Sequence, residues 1–556
     1  MKKILLLLLF PLHLQCQKLP DTLAQKIDQI FSSYTGNRPG CAVAIVKKGE
    51  LIFQKGYGMA NLEYSIPITP ATIFHIASES KQYVAFCILL LEKEGKLSID
   101  DDIRKYLDYV PDFGYTITIR QLIYHTSGLR DQWQLLANAG WQLDDVITQE
   151  HVIKLVSKQK SLNFIPGEEH MYCNTGYTLL AEIVKKVSGL SLRQYADKYI
   201  FQPLDMKDTH FHDNYQEIVP NRAYSYTPAS QGYQHAVLSY SIVGATSLLT
   251  TVLDEIKWLN NYETGTVGGK DLIAKMFRTG VLNDGRKLNY AFALTIDKFN
   301  GWMQIGHGGG DAGFRTYACR YPEKDLGIVV FSNNGATNPA GLARQVASLL
   351  ITDTKEEPKP LPYTHYADSN FHKLLQGRYY SERGDLGEFI WQNGKLKSRN
   401  FGLPGTNDGR WAVIGNNRYS MEDGGPVLIL DRKNNFNDSV MEFKIERTVN
   451  TITYKRQPKI ATPVTAEFAG RYYDDETEAF YRVVEKDGQL TLEHRKFSSV
   501  PLKNIAPDQF TCPHWWMSHI RFIRDSQGKI VAFEVNAGRI QHLRYDKIKT
   551  GLARYK

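Results

Sequence analysis

Strands at both ends of the region before Glu356, with a long helical stretch between them, predict an α+β domain. In it an antiparallel sheet is flanked by helices and carries an inserted helical region, and the first and last strands share that sheet. Three observations carry this reading. Cys41–Val46 and Leu51–Tyr57 are apolar runs separated by Lys48-Gly49-Glu50, a hairpin signature. Apolar residues Val84, Cys87, Ile88 and Leu91 recur at helical spacing until Gly95. Strand-like runs then return late in the region, and behind a proline-rich stretch the chain repeats itself as two small antiparallel β modules.

In chain order, Met1-Lys2-Lys3 followed by Ile4–Phe10 has the charged-then-apolar pattern of an export signal. Its apolar run stops near Leu14, short of the ~20 residues that span a bilayer. Cys16 stands where a lipoprotein signal places its lipidated cysteine, but Gln15 replaces the usual small residue before it. Two outcomes are therefore open: membrane anchoring through a lipidated Cys16, or cleavage near Gln17 without an anchor. Either places the mature chain in the periplasm or at the outer membrane as a lipoprotein.

Thr22–Tyr34 reads as an amphipathic helix. Helices are also expected within Ile119–Gly128, Val152–Ser157, Thr175–Ser188 and Pro339–Leu350. Strands are expected at Tyr290–Ile296, Trp302–His307, Phe314–Tyr321 and Leu326–Ser332. Glu356–Pro362 is a charged, proline-rich linker. Beyond it Gly377-Arg-Tyr-Tyr380 recurs as Gly470-Arg-Tyr-Tyr473, and each unit runs to about eighty residues of short strands. The expected organisation is a signal at 1–17, a main domain at 19–354, a linker at 355–368, and β modules at 369–457 and 458–556.

Composition excludes some functions. The 67 basic and 59 acidic side chains give a net charge of +8 without a long basic run, so no nucleic-acid surface is expected. Cys41, Cys87, Cys173, Cys319 and Cys512 show no paired spacing, which argues against a zinc site or a disulfide framework. They read as small buried side chains.

Chemistry concentrates in three stretches. Ser78 and Lys81 lie three residues apart at the start of a helix, so the amine can reach the hydroxyl. A serine needs a neighbouring base, and a lysine serves if burial and nearby positive charge depress its pKa. The plain alternative is a capping serine beside a solvated lysine. Tyr172-Cys173-Asn174 precedes another helix; the phenol, as phenolate or through a shared proton, would relay a proton from Ser78. Asn174 would contact Lys81 and a substrate carbonyl. His307-Gly308-Gly309-Gly310 ends a strand, where glycines let a substrate backbone approach and the Gly310 amide, with that of Ser78, could bind an oxyanion.

These stretches, in this order, resemble the Ser-x-x-Lys, Tyr-x-Asn and His-x-Gly motifs of the penicillin-binding and serine β-lactamase superfamily, in particular its class C-like branch of D-peptidases, D-aminopeptidases and esterases. Pro39–Ile45, Leu122–Leu129, Pro203–Thr209 and Ser247–Asp254 extend the resemblance over about Leu19–Thr354. It implies a β-lactamase/transpeptidase-like fold and lipocalin-like barrels for the trailing modules. It also implies roles: Ser78 as nucleophile, Lys81 as its base and Tyr172 as proton partner. Asn174, His307 and Gly309 would bind substrate, and the Ser78 and Gly310 amides would form the oxyanion hole. No metal or organic cofactor is implied.

The third motif departs from the lysine-threonine form, losing a fixed cation that holds a substrate carboxylate. His307 would be charged only part of the time near neutrality. The expected activity is an exported serine hydrolase acting on ester or amide bonds of a small molecule or peptide through a Ser78 acyl-enzyme. The alternative is a penicillin-binding-type receptor or sensor that is acylated without efficient turnover.

Overall fold

The computed structural model describes residues 19–356 and 373–548, apart from 382, 393–394, 400, 402–410, 416, 422–425, 431–441, 448 and 458–465. The export signal, Cys16 and most of the proline-rich linker lie outside the described residues.

The main sheet contains β1 (Cys41–Lys47), β2 (Glu50–Tyr57), β3 (Thr295–Phe299), β4 (Trp302–Asp311), β5 (Phe314–Tyr321) and β6 (Leu326–Ser332). Its six strands run in the order β3-β4-β5-β6-β1-β2, and every neighbouring pair is antiparallel. The expected closure of first strand on last is the β1–β6 pairing, with Val43 opposite Val330. Side-chain alternation gives the sheet two buried faces. Val43, Ile45, Ile328 and Val330 pack under α1 (Asp21–Ile30) and the last helix of the domain. Ala42, Ala44, Val329 and Phe331 face the other way, into the core built around α2 (Ser80–Lys93).

That second core continues through α3 (Gln132–Asn138), α4 (Asn174–Ser188) and α5 (Val252–Thr264), while α6 (Pro339–Leu350) covers the opposite face. From Ser80 to Leu91 all but Leu90 of α2 is buried, including Ser80, Lys81 and Gln82. A helix buried on all sides is the central element of its domain rather than a surface one.

One strand expectation is corrected. Tyr290–Leu294 is not strand; Ala293 adopts a left-handed φ of 59°, the Ala291 amide donates to the Leu294 carbonyl, and regular pairing starts only at Thr295. The resulting bend swings Tyr290 towards the interior. By contrast β4 runs past His307 to Asp311, because Gly308–Gly310 stay paired with Arg315–Tyr317.

Beyond the linker, two eight-stranded antiparallel arrays follow. The second, from Gly470–Asp474 to Ile540–Ile548, closes into a barrel because its first and last strands pair. The first has the same first-to-last pairing, Gly377–Ser381 on Thr451–Arg456; among the described residues no pair joins Lys395–Arg399 to Trp411–Gly415, so closure is not seen. The repeat visible in sequence is also a structural one. Tyr379 donates to the Leu375 carbonyl at 2.9 Å and Tyr472 donates to the Phe468 carbonyl at 2.7 Å, the same contact four residues back.

The barrel is fixed to the main domain by buried polar contacts. The fully buried Arg130 donates to Glu476 Oε2 at 2.7 Å, to the Ser161 carbonyl and hydroxyl, and to the carbonyls of Gln541 and His542. Every N–H of that guanidinium thereby has a partner, as burial of a charge requires. The five described cysteines are free, and all five are buried, as expected of small apolar side chains.

Candidate active site

The nucleophile turn is built by close approach. Phe74–His75 pairs with Leu249–Thr250, and the chain then enters a single 3₁₀ turn, Ala77–Glu79, before α2. Ser78 thus stands just before the α-helix rather than in its first turn. Ala77 takes a left-handed φ of 51°, a conformation that costs energy for an L-residue and is held by its surroundings. The holding groups are identifiable: Ser80 donates to the Ala77 carbonyl and accepts from the Leu248 amide, and Thr316 Oγ1 donates to the Ile76 carbonyl at 3.0 Å. Ahead of the turn, Asp311 at the end of β4 accepts from His75 Nε2 at 3.0 Å and from Thr246.

Lys81 Nζ donates to Ser78 Oγ at 3.0 Å and also to the Ala245 carbonyl. It lies 5.0 Å from the centroid of the Tyr172 ring and 5.7 Å from that of Tyr177. Burial pushes its pKa down to about 7; Asp311 opposes the fall and Arg539 adds to it. Near neutrality a large fraction of the amine is therefore uncharged, with a lone pair available to take the serine proton.

Tyr172 departs from expectation. Its hydroxyl is buried and has no hydrogen-bond partner, and burial raises its pKa above the ordinary phenol value. Ser78 is the neighbour that most opposes this rise. The resting group is a neutral phenol, not a phenolate: desolvation outweighs the nearby cations.

Asn174 does not contact Lys81. Its amide nitrogen and its side-chain Nδ2 both donate to Asp131 Oδ2 at 2.8 Å, and Asp131 also caps α3 through the Trp133 amide. Its role is to tie the start of α4 to α3.

His307 is likewise not a free, partly charged group. The Cys173 amide donates to His125 Nδ1 at 3.0 Å, which leaves the His125 proton on Nε2, pointing at Tyr290 Oη 3.1 Å away. Tyr290 in turn donates to His307 Nε2 at 3.2 Å, and His307 Nδ1 donates to the Gly308 carbonyl at 2.7 Å. Burial, with Lys81 nearby, pushes His307 down to about 4, and His125 also falls well below its ordinary value. Both imidazoles are neutral at pH 7.

Gly309 faces the nucleophile turn rather than substrate: a Cβ there would lie 2.1 Å from the Ile76 carbonyl oxygen. Gly310 has only the Arg315 side chain near its missing Cβ, at 3.6 Å. Because β3 begins at Thr295, opposite Gly306, no strand among the described residues pairs with the outer edge of β4 from His307 to Asp311. That edge and the amides of the Ser78 turn carry main-chain donors that no strand partner takes up.

Four groups at this site escape a reading of the sequence: Asp131, Tyr290, Asp311 and Arg539. Asp131 lies two residues beyond the family-like stretch ending at Leu129, and that proximity is its only signal. Arg539 arrives from the far barrel, on the turn between the strands Ile530–Ala537 and Ile540–Ile548.

Residues 23–352 match the Beta-lactamase family. The chain belongs to that family. Its D-aminopeptidase relatives include those of Brucella melitensis biotype 2 (strain ATCC 23457), 24% identical over 95% of this chain and 99% of the relative, and of Brucella anthropi, 24% identical over 95% and 98%. Among solved structures, the octameric penicillin-binding protein homologue from Pyrococcus abyssi superposes with a TM-score of 0.53 at 24% identity, covering 86% of this chain and 98% of that one. The D-amino acid amidase from Ochrobactrum anthropi SV3 superposes at 0.51 with 20% identity, covering 59% of this chain and 99% of that one. This Beta-lactamase family chain is accordingly a hydrolase of the serine β-lactamase-related type.

One described cluster has the composition of a metal site: His210, His212 and Glu217, with donor atoms within 4.8 Å of one another. Arg193 already engages both Glu217 oxygens, and Arg222 stands 3.4 Å from His212 Nε2. Two fixed cations occupy the place that a metal's charge would take, so the cluster is assigned no ion.

Proposed function

We propose that this protein is an exported serine hydrolase that cleaves ester or amide bonds through an acyl-enzyme on Ser78. The observation that supports it is the 3.0 Å bond from Lys81 to Ser78, made by a buried amine whose pKa is near 7. In the forward step the Ser78 Oγ–H proton passes to Lys81 Nζ as Oγ bonds to the substrate carbonyl carbon. The developing oxyanion is held by the Ser78 and Gly310 amides. As the carbon–leaving-group bond breaks, the leaving group takes a proton through Tyr172, which is restored from Lys81. Water then adds to the acyl ester by the same path in reverse, releasing the acid and freeing Ser78.

Amides and esters of D-amino acids head the candidate substrates, because the relatives are named D-aminopeptidase and D-amino acid amidase. Export rests on the charged-then-apolar pattern of Met1–Leu14. Labelled palmitate incorporated by wild type and not by Cys16→Ala would select the anchored form; a soluble product starting near Gln17 would select the other.

The test is incubation with a fluorophosphonate, a short-chain chromogenic ester and a D-amino acid anilide, beside Ser78→Ala. Labelling and turnover that both vanish in the variant support the proposal. Labelling without turnover of any substrate would favour an acylated receptor, and labelling that persists in Ser78→Ala would contradict the assignment of the nucleophile.

A further inference from the structure

The Gly538-Arg539 turn of the C-terminal barrel reaches into the candidate active site, and the Arg539 amide and carbonyl are both held by the main domain. The Arg539 amide donates to Gln134 Oε1 at 2.7 Å, and its carbonyl accepts from Asn163 Nδ2 at 2.9 Å and from the Asp131 amide at 3.3 Å. Gln134 Nε2 also donates to the Ala537 carbonyl at 2.6 Å. The fit is close, since a Cβ on Gly538 would lie 2.8 Å from Gln134 Nε2, and Gly538 takes a left-handed φ of 54°. The turn is therefore pre-positioned by the fold.

Its guanidinium is treated differently. The group lies 4.7 Å from the centroid of the Tyr172 ring and 3.7 Å from Asp131 Oδ2, outside hydrogen-bond range, and the side chain is 43% exposed. Asp131 is 1% exposed, and its oxygens already accept from Asn174 and Trp133. The carboxylate steadies the arginine but cannot meet substrate. What faces outward beside the catalytic phenol is a planar cation with five donors and no hydrogen-bonded acceptor.

We infer that Arg539 is a specificity-determining residue, placed by the barrel to pair with a carboxylate on the substrate and to disfavour a substrate ammonium at that position. The inference rests on the proposed Ser78 hydrolase and narrows its substrate class. The carboxylate is carried by the acyl part or by the leaving group. Arg539 in this way supplies the fixed cation that the neutral His307 of the third motif does not, from a different module of the chain. A guanidinium–carboxylate pair is bidentate and geometrically demanding, so it both binds and orients.

The experiment uses the full chain and four esters: phenyl acetate and 3-carboxyphenyl acetate for the leaving group, 4-nitrophenyl butyrate and 4-nitrophenyl hemisuccinate for the acyl part. The quantity read is the kcat/KM ratio of carboxylate to neutral ester within each pair, which cancels any effect of Arg539 on Lys81. In one pair the ratio should fall about 10- to 100-fold in Arg539→Ala, the worth of one charge-assisted hydrogen-bonded pair. It should fall further in Arg539→Glu, and that pair identifies which side carries the carboxylate. Ratios unchanged in both pairs would overturn the inference while leaving the hydrolase intact. The second measurement does not need turnover: 3-carboxyphenylboronic and phenylboronic acids are titrated against wild type, Arg539→Ala and Ser78→Ala. Loss of preference for the carboxylated boronate in Arg539→Ala supports the inference. Equal affinity for both in wild type contradicts it, and binding of either that survives in Ser78→Ala contradicts the underlying nucleophile assignment instead.

Discussion

Gly309 of the third motif and Ile76 before the nucleophile are in backbone contact: the side chain that position 309 lacks would overlap the Ile76 carbonyl oxygen, at 2.1 Å. The motif that the sequence presents as a substrate-binding edge is therefore also the floor on which the Ser78 turn rests.

Gly309→Ala should accordingly move the nucleophile rather than merely crowd a substrate. Neither the Ile76 backbone nor Thr316 Oγ1, 2.4 Å from the added carbon, can yield without breaking their mutual bond. We expect a loss of about 1–3 kcal/mol in chemical denaturation and a fall in kcat/KM of roughly 10²-fold. An alanine variant with wild-type activity would show that the turn is not set by this contact.

Tyr290→Phe removes the hydroxyl that stands between two buried imidazoles. His125 Nε2–H would then have no acceptor and His307 Nε2 no donor, in a place where both rings are at least 93% buried by the 1% and 7% exposures of the two residues. The expected cost is about 1–3 kcal/mol, the desolvation penalty of an orphaned polar group. Urea denaturation measures it, and a midpoint unchanged from wild type would remove the hydrogen-bonded chain from the account.

Glu476→Ala strands Arg130, whose side chain is wholly buried between the main domain and the barrel. Breaking a buried pair from one side typically costs about 3–5 kcal/mol. The loss should appear in the denaturation curve as a lowered midpoint. Because the neighbouring Arg539 turn depends on the same docking, the carboxylate-to-neutral ester ratio should fall as well. A stable variant with an unchanged ratio would separate the barrel from the site.

Lys81→Met should abolish turnover while making the protein more stable at neutral pH. The folded pKa of about 7 lies below the ordinary 10.5, so between those values the unfolded chain holds a proton that the folded chain does not. The destabilisation by this residue is thus complete below pH 7 and fades as the pH rises towards 10.5. Thermal melts at pH 7 test this: the variant should melt higher, as removal of a strained active-site charge often allows.

Much of this architecture can be read from residue order alone. Phe314–Tyr321, Leu326–Ser332 and Pro339–Leu350 fall where periodicity and turn residues put them, and the Ser78–Lys81 contact follows from helical spacing. What escapes the sequence is long-range. The bend at Ala293 that delivers Tyr290 depends on a left-handed residue with no glycine to announce it. The fate of Asn174 depends on Asp131, which lies 43 residues earlier in the chain. The neutral state of His307 and the raised pKa of Tyr172 come from burial, which local spacing does not report. Arg539 sits on an ordinary hairpin turn, and only docking of the barrel makes it part of the site.

The most direct test is the pH dependence of Ser78 modification by a fluorophosphonate, followed by intact-protein mass. The second-order rate should rise with pH through a single ionisation near 7, because only the unprotonated Lys81 accepts the serine proton. In Lys81→Arg that limb should vanish and the rate drop by roughly 10²–10⁴-fold. A rate that is flat between pH 5 and 9, or equal in the two proteins, would contradict the claim that Lys81 activates Ser78.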